Sequence, residues 1–204
     1  MSKSYLSTLI HHQAAKYGDR TALKYRDYTI ETWVEVGWND FADTVRKASM
    51  SLLALGVGVQ ENVGVFSQNM PECLYTDFGA FAIRAVTIPL YATSSEAQVH
   101  YILQDANVRY LFVGEQYQYD VAYRVQKLAT SVLKKIIVFD PKVVLAPGDV
   151  TTIYYKEFLR IHEGMSDVQP EMEKRTSESS PEDLANILYT SGTTGESKIG
   201  RAHV

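Results

Sequence analysis

Short apolar segments alternate with helical periods along most of the chain, and this alternation limits the folds open to it. Apolar runs of strand length occur at residues 63–66, 85–90, 110–113 and 136–139. Between them lie segments whose apolar residues recur every three or four positions, as in amphipathic helices. Strands joined by helices need crossover connections, which favour a parallel sheet covered on both faces. The sequence therefore predicts an α/β fold with mainly parallel sheets flanked by helices.

Helix periods and terminating residues predict where these helices lie. Asn39 is the predicted N-cap of the second helix and Gly56 its stop. Pro71 suits the first turn of the third helix. The sequence Thr93-x-x-Glu96 has the form of a capping box for the fourth. The predicted helices cover residues 5–17, 40–55, 71–84, 93–105 and 120–130.

The region after residue 140 carries weaker signals. Residues 142–149 are predicted to form a loop, and residues 152–161 a short strand or helix. Residues 163–181 contain few large apolar groups and are predicted to form an exposed connector. Residues 183–189 return to an apolar strand pattern. This last strand leads directly into the most unusual segment of the chain.

Residues 189–198, Tyr-Thr-Ser-Gly-Thr-Thr-Gly-Glu-Ser-Lys, combine hydroxyl side chains, two glycines and a lysine. Gly192 and Gly195 allow the backbone to approach a ligand closely. Hydroxyls and backbone N–H groups can surround an anion, and Lys198 can neutralise its charge. The spacing differs from that of the Walker loop. The residues alone leave two interpretations open, a polyphosphate-binding loop and a Ser/Thr/Gly-rich surface turn.

The order of these residues resembles the phosphate-binding loop of the adenylate-forming superfamily, which includes acyl-CoA synthetases, luciferases and the adenylation domains of peptide synthetases. Residues 33–55, 62–72 and 85–105 are similar to other sequence blocks of this superfamily. The block at residues 91–96 most resembles the long-chain fatty acid–CoA ligase branch. The resemblance extends over residues 20–198.

This resemblance implies a reaction and a set of binding residues. A substrate carboxylate would attack the α-phosphorus of ATP, giving an acyl-adenylate and pyrophosphate, and the thiol of CoA would then displace AMP. Mg²⁺ would bridge the phosphate oxygens, with Thr190 contributing to the metal site. No catalytic residue is assigned within the chain. The implied ATP-binding residues are Thr190, Ser191, Gly192, Thr193, Thr194, Gly195 and Lys198.

The sequence departs from the superfamily pattern after Lys198, where Ile199 stands in place of the usual glycine. The later motifs, including the adenine-binding segment and the catalytic lysine of the C-terminal domain, are not found. We therefore expect residues 1–198 to be the N-terminal part of an incomplete AMP-binding domain and residues 199–204 to be a non-native tail. The strand before the loop should then have an unpaired edge, because its neighbour should come from beyond residue 198. The isolated chain is expected to bind ATP poorly, to form no thioester and to aggregate.

Three functions are compatible with these observations. The leading hypothesis is activation of a long-chain fatty acid with ATP, Mg²⁺ and CoA. The second is adenylation of another carboxylic acid, either an amino acid or an aryl acid. The third is a nucleotide-binding module without chemistry of its own.

Composition and charge limit the classes of partner and the cellular location that can be expected. A net charge of −4 gives no electrostatic reason to expect nucleic acid. The sequence shows neither the apolar core of a signal peptide nor a stretch of about 18 apolar residues, so a cytoplasmic protein is expected. Peripheral contact with a membrane stays open, because fatty acids partition there. Cys73 is the single cysteine and is predicted to be a buried, inert thiol. The five histidines show no spacing suited to a metal site.

Overall fold

The computed structural model describes residues 5–27, 30–191 and 197–203, and for residues 191, 197–199 and 201 it describes the backbone alone. The helices in these ranges are α1 (Leu6–Tyr17), α2 (Trp38–Ala54), α3 (Pro71–Ala82), α4 (Glu96–Asp105), α5 (Gln116–Gln126), α6 (Tyr155–Phe158) and α7 (Val168–Ser177). The strands are β1 (Thr21–Asp27), β2 (Thr32–Gly37), β3 (Asn62–Phe66), β4 (Val86–Leu90), β5 (Tyr110–Val113), β6 (Lys135–Val138), β7 (Thr152–Tyr154), β8 (Leu184–Ser191) and β9 (Ser197–His203).

A seven-stranded sheet forms the centre of the fold, with the strand order β7-β6-β5-β3-β4-β8-β9. Every neighbouring pair in it is parallel except β8 and β9, which are antiparallel. Strands β1 and β2 form a separate antiparallel hairpin. The predicted α/β fold with a mainly parallel sheet is therefore confirmed.

Helices cover both faces of this sheet, because side chains of each strand alternate between two apolar cores. On one face, Val63, Val65 and Phe112 are buried beneath α1, α2, α3 and α7. On the other face, Phe66 and Leu111 are buried beneath α4 and α5. The sheet is thus the middle layer of a three-layer structure.

Helix α2 begins two residues earlier than predicted, and its predicted N-cap is wrong. Gly37 precedes the helix, and no side chain caps it. Asn39 lies within the first turn and donates a hydrogen bond of 2.7 Å from its amide to Asp19 Oδ1. The hairpin β1–β2 just before this helix was not predicted. None of its strand residues is buried, although residues 23–26 and 34–36 do alternate between apolar and polar side chains.

The starts of α4 and α5 also differ from the sequence prediction. The capping box of α4 is formed by Ser95 and Gln98 instead of Thr93 and Glu96, so the helix begins at Glu96. Helix α5 runs over Gln116–Gln126 instead of 120–130, with a box formed by its N-cap Glu115 and Gln118. The first turn of α5 contains polar residues, so apolar periodicity did not predict it.

The prediction that residues 163–181 form an exposed connector is wrong, because α7 lies within them. Its two buried apolar residues, Val168 and Met172, are four positions apart and pack against the core beneath α2 and α3. Arg175 donates to the carbonyl of Val57 at 2.8 Å, and Thr176 donates to the carbonyl of Ala82 at 2.8 Å. Two apolar contacts and two long-range hydrogen bonds fix a helix whose surface is otherwise polar.

The prediction of an unpaired edge on the strand before the loop is also wrong. Strand β8 pairs with β4 on one side and with β9 on the other. Residues 197–203 therefore supply the neighbour that was expected from beyond residue 198. The sequence of that segment does not predict a strand, because it has few apolar residues and contains Gly200. Within the described residues, no helix is long and apolar enough to cross a membrane.

Candidate nucleotide-binding site

Strand β8 delivers the Ser/Thr/Gly-rich loop to the carboxyl edge of the central sheet. Because β3 to β8 run parallel, the loops that follow them all begin at this edge. The connection after β4, residues 91–95, is the nearest of these to the end of β8. Open α/β sheets bind ligands at the carboxyl ends of their strands. The position of the loop thus agrees with a binding function.

The structure describes three of the seven predicted binding residues. Thr190 is exposed near the end of β8, and Ser191 is the last residue of that strand. Lys198 is the second residue of β9 and pairs with Thr190 across the hairpin. Their backbones therefore lie side by side where the hairpin closes. The other predicted residues, Gly192, Thr193, Thr194 and Gly195, lie outside the described residues.

The start of β8 is fixed by an ion pair with Arg84, the residue that precedes β4 by two positions. Arg84 Nε lies 2.8 Å from Asp183 Oδ2, and its Nη2 lies 3.0 Å from Oδ1. Burial by itself raises the pKa of Asp183, but hydrogen bonds from Arg84 and from the Ser180 amide outweigh it and hold that pKa below its usual value. Arg84 has φ of +61°, an unusual backbone conformation for a side chain of this size.

Gln60 makes a second contact with the start of β8. Its Oε1 accepts from the Leu184 backbone N–H at 2.8 Å, and its Nε2 donates to the Leu184 carbonyl at 3.3 Å. The same amide donates to the carbonyl of Arg84 at 3.1 Å. Gln60 also has a positive φ, +56°. Two residues in an uncommon conformation thus hold the first residues of β8.

The middle of β8 is held by a polar side-chain contact with β4. Asn186 donates from Nδ2 to Thr87 Oγ1 at 2.5 Å, at the position where β8 and β4 are in register. Thr87 is fully buried, and Asp77 on α3 lies near its hydroxyl. Burial raises the pKa of Asp77 to about 6, and the nearby hydroxyl of Thr87 only partly opposes this.

The far end of β8 is anchored to α4 on the opposite face of the sheet. Tyr189 is buried, and its hydroxyl donates a short hydrogen bond to Asp105 Oδ2. Burial and the contact with Asp105 raise the pKa of Tyr189. The ring of Tyr189 also meets Tyr101 edge to face, with 6.5 Å between centroids. The residue immediately before the loop is thereby fixed.

The connection after β4 is held by hydrogen bonds from α5. Tyr117 donates to the carbonyl of Ser94 at 3.1 Å, and Gln118 donates to the carbonyl of Ala92 at 2.8 Å. Tyr91 projects outward with 65% of its surface exposed. Both donors lie in the first turn of α5, which was not predicted because the helix was expected to begin at residue 120. The connection is thus fixed to α5 at the carboxyl end of β4, the strand next to β8.

Within the described ranges, no group of three or more His, Cys, Asp or Glu residues could hold a metal ion. A Mg²⁺ ion at this edge would therefore need most of its oxygen ligands from phosphate and water, which is usual for Mg²⁺ bound with a nucleotide. The exposed hydroxyl of Thr190 fits that requirement, because it adds one neutral oxygen and no buried charge.

Together these features define a class of protein, an α/β protein in which a hydroxyl-rich segment follows a strand at the carboxyl edge of a parallel sheet. The chain belongs to the family of AMP-binding enzymes, whose family model matches residues 10–199.

Relatives with assigned names come mainly from one branch of the family. Over 169 residues the chain is 32% identical to the long-chain-fatty-acid–CoA ligase FadD15 of Mycobacterium bovis, which covers 81% of the chain and 26% of that protein. Over 190 residues it is 26% identical to the long-chain-fatty-acid–CoA ligase ACSBG2 of Xenopus laevis, covering 93% of the chain and 25% of that protein. The chain thus spans about a quarter of the length of these relatives.

Solved structures with the same fold are more diverse in the activities that their names give. The anthranilate CoA ligase AuaEII in complex with anthranoyl-AMP matches 98% of the chain and 35% of its own, with a TM-score of 0.74 at 19% identity. The N-terminal domain of FACL13 from Mycobacterium tuberculosis matches 98% of the chain and 44% of its own, with a TM-score of 0.68 at 20% identity. At such identities these likenesses support the fold alone.

Proposed function

We propose that residues 190–198 bind the outer phosphates of ATP in an enzyme that activates a long-chain fatty acid, first to an acyl-adenylate and then to acyl-CoA. The observation that carries the proposal is the position of β8, which brings Thr190 to the carboxyl edge of the parallel sheet directly before the hydroxyl-rich segment. A segment rich in hydroxyl groups and ending in a lysine suits a polyphosphate better than an uncharged ligand.

The proposed work of these residues is positioning and charge compensation. Lys198 offsets the charge of the β- and γ-phosphates, and Gly192 and Gly195 have no side chain to keep a phosphate from the backbone. Thr190 would contribute a hydroxyl to Mg²⁺, which when bound neutralises charge on the phosphates. The α-phosphorus stays open to the substrate carboxylate, so catalysis rests on orientation and electrostatics.

The choice of a long-chain fatty acid rests on the names of the relatives. FadD15 and ACSBG2 are both long-chain-fatty-acid–CoA ligases. The structural neighbour AuaEII is an anthranilate CoA ligase, so an aryl acid is the competing substrate. Within the cell we place this activity in the cytoplasm, with the fatty acid supplied from a membrane surface.

We further propose that residues 1–198 are the first part of a longer AMP-binding domain and that residues 199–204 are a non-native tail. The support is the match of the family model up to residue 199 and the short share of each relative that the chain covers. Sequencing the gene beyond codon 198 tests this directly. A reading frame that continues with glycine and several hundred further codons is expected, and a native stop codon after residue 204 would contradict it.

The activity is tested by acid-dependent exchange of pyrophosphate into ATP, using the complete protein of which residues 1–198 form the start. Palmitate should support exchange, whereas anthranilate and the common amino acids should not. Replacing Lys198 with Ala, or Thr193 and Thr194 with Ala together, should reduce exchange by about a hundredfold or more. The control is Thr44→Ala, which changes a half-buried threonine of α2, outside the loop. Undiminished exchange in the loop variants would refute the phosphate role, and preference for anthranilate would refute the fatty-acid assignment.

One observation favours the alternative of a nucleotide-binding module without chemistry. Within the described residues both edges of β8 are paired, so β8 lacks the unpaired edge that was expected to cause aggregation. Binding of ATP by the 204-residue chain with micromolar affinity and a cooperative thermal transition would support this alternative. Our proposal expects weak binding by the chain and no thioester formation.

A further inference from the structure

A second cleft lies at the carboxyl edge of the sheet, apart from the end of β8. It has a volume of about 580 Å³ and lies between β1 and the segments that follow β3, β5 and β6. The chain leaves β3 and β5 toward opposite faces of the sheet, because α3 covers one face and α5 the other. Neighbouring strands whose connections diverge in this way form a crevice that commonly binds a ligand in open α/β sheets. Strand β4 separates β3 from β8, so this crevice is distinct from the candidate phosphate site.

The segments that form this cleft are held to one another by close backbone contacts. The Gly114 N–H donates to the Phe66 carbonyl at 3.1 Å, and the Asp140 N–H donates to the Gly114 carbonyl at 3.1 Å. A Cβ at residue 114 would lie 2.5 Å from Ser67 Oγ and 2.6 Å from Gln68 Oε1, so a larger residue there would push both side chains aside. The cleft is therefore a preformed part of the fold, as ligand sites usually are.

Two buried acceptor atoms in this cleft have no hydrogen-bond partner within the described residues. They are Gln68 Oε1, in the turn after β3, and Glu72 Oε2, in the first turn of α3. A buried acceptor without a partner costs free energy, and a charged one costs more. Burial is also the main reason that the pKa of Glu72 is raised, and no described cation lies close enough to form an ion pair with it. A ligand that donates hydrogen bonds to both atoms would remove this cost.

The inner side of the cleft carries negative charge. Side chains alternate along β1, and its Lys24 and Arg26 are exposed on the outer face, where Lys24 pairs with Glu35. The remaining charged residues that line the cleft are four carboxylates and one exposed lysine, namely Asp27, Glu72, Glu115, Asp140 and Lys142. A positively charged ligand is therefore favoured over an anion.

We propose that this cleft binds a small organic cation with N–H donors, either an alkylammonium or a guanidinium group. Gln68 and Glu72 accept its hydrogen bonds, and the carboxylate of Glu72 compensates its charge. Tyr25, half-buried on the inner face of β1, provides an aromatic wall for the cation. A metal ion fits less well, because within the described residues no group of three or more His, Cys, Asp or Glu side chains could hold one. The inference goes beyond the proposed function and does not depend on ATP binding.

The test titrates the 204-residue chain near neutral pH with n-butylammonium chloride and with butyltrimethylammonium chloride, followed by the backbone amide signals in nuclear magnetic resonance. The two cations share one alkyl chain and one charge, but the second has no N–H group. Butylammonium should shift the signals of residues 68–72 and 114–115 to saturation and bind about tenfold more tightly than butyltrimethylammonium. Sodium chloride at the same ionic strength should leave these signals in place. Equal affinity for the two cations, or no shifts around the cleft, would overturn the proposal.

Three variants identify the groups that bind the cation. Glu72→Gln removes the charge and should weaken the binding of butylammonium by about tenfold or more. Gln68→Met removes the amide acceptor at similar size and should weaken binding about threefold without loss of stability, because no hydrogen bond of that acceptor is lost in the free protein. Glu173→Gln removes an exposed carboxylate of α7 that does not line the cleft, and it should bind like wild type.

The outcome of these variants decides the assignment. Unchanged affinity in both Glu72→Gln and Gln68→Met would reject the site. Equal weakening by Glu173→Gln and Glu72→Gln would also reject it, because the cation would then respond to net charge alone. If Glu72→Gln does not fold, Gln68→Met together with the comparison of the two ammonium ions decides the question.

Discussion

Arg84 and Asp183 form a two-point ion pair that joins the turn before β4 to the residue before β8, 99 positions later in the chain. Asp183 is buried, and Arg84 holds it while adopting a positive φ. Because β8 carries the candidate binding loop, this pair connects the stability of the sheet to the placement of the site.

Removing the cation of this pair should destabilise the protein strongly. Arg84→Ala leaves Asp183 buried without its partner, and we expect a loss of about 3 kcal/mol in the free energy of unfolding. Urea unfolding at pH 7 measures it. Arg160→Ala, which breaks the exposed pair with Glu163, is the matched control and should have little effect. Similar effects of the two substitutions would show that burial of Asp183 does not strengthen its pair.

The pH dependence of this contribution follows from the lowered pKa of Asp183. A carboxyl group whose pKa is lower in the folded state stabilises the fold above its unfolded pKa, about 3.9, and loses that contribution as pH falls through the folded value. The difference in stability between wild type and Arg84→Ala should therefore be constant near neutrality and shrink below about pH 4. A constant difference down to pH 2 would contradict the assignment.

Asp77 should show the opposite dependence. Its pKa is raised to about 6 by burial, so its contribution to stability is present below its unfolded pKa and is lost as pH rises through about 6. Asp77→Asn should therefore unfold at the same denaturant concentration as wild type near pH 4. Above pH 6.5 it should be more stable by about 1–3 kcal/mol. Denaturant titrations at several pH values measure this, and a variant that is less stable at neutral pH would show that burial does not disfavour the charge.

Gly79 marks a close approach between α2 and α3 that tolerates no side chain. A Cβ added there would lie 2.9 Å from the Cβ of Ala48 and 3.3 Å from the backbone nitrogen of Ser49. Ser49 also donates to the Gly79 carbonyl at 3.0 Å. Alanine improves helix propensity by about 1 kcal/mol, but overpacking of two helices costs more.

We therefore expect Gly79→Ala to reduce the free energy of unfolding by about 1–3 kcal/mol, measured by thermal or urea denaturation. Gly58→Ala is the control, since a Cβ there meets only the Glu61 side chain at 3.4 Å and needs no unusual backbone angle. A neutral or stabilising effect of Gly79→Ala would mean that the two helices separate without loss.

The sequence predicted local features well and long-range contacts poorly. Strand β5 occupies the predicted residues 110–113. Its position was predictable because a short, fully apolar run between turns is typical of a buried strand. Helix α7 was missed because Val168 and Met172 alone do not make a visible period, although hydrogen bonds to Val57 and Ala82 complete it. Interactions with residues so distant along the chain leave no local pattern.

The candidate site shows the same limit. The loop was found from its own residues, and the position of Thr190 at the carboxyl edge agrees with the parallel sheet that the alternation predicted. The contacts that hold β8 were not found. In the sequence Thr87 is one residue of an apolar strand, and only the fold brings its hydroxyl to Asn186. The binding roles of the seven loop residues stay a prediction.

Tyr189 offers a last test of how the strand before the loop is held. Tyr189→Phe keeps the ring and its edge contact with Tyr101 but removes the hydrogen bond to Asp105. Losing one hydrogen bond to a carboxylate should lower the free energy of unfolding by about 1–3 kcal/mol. Tyr117→Phe is the control, because its hydroxyl binds the Ser94 carbonyl at a half-exposed position. Hydrogen exchange of the β8 amides should become faster in Tyr189→Phe and stay unchanged in Tyr117→Phe, and equal rates in the two variants would mean that Asp105 does not anchor β8.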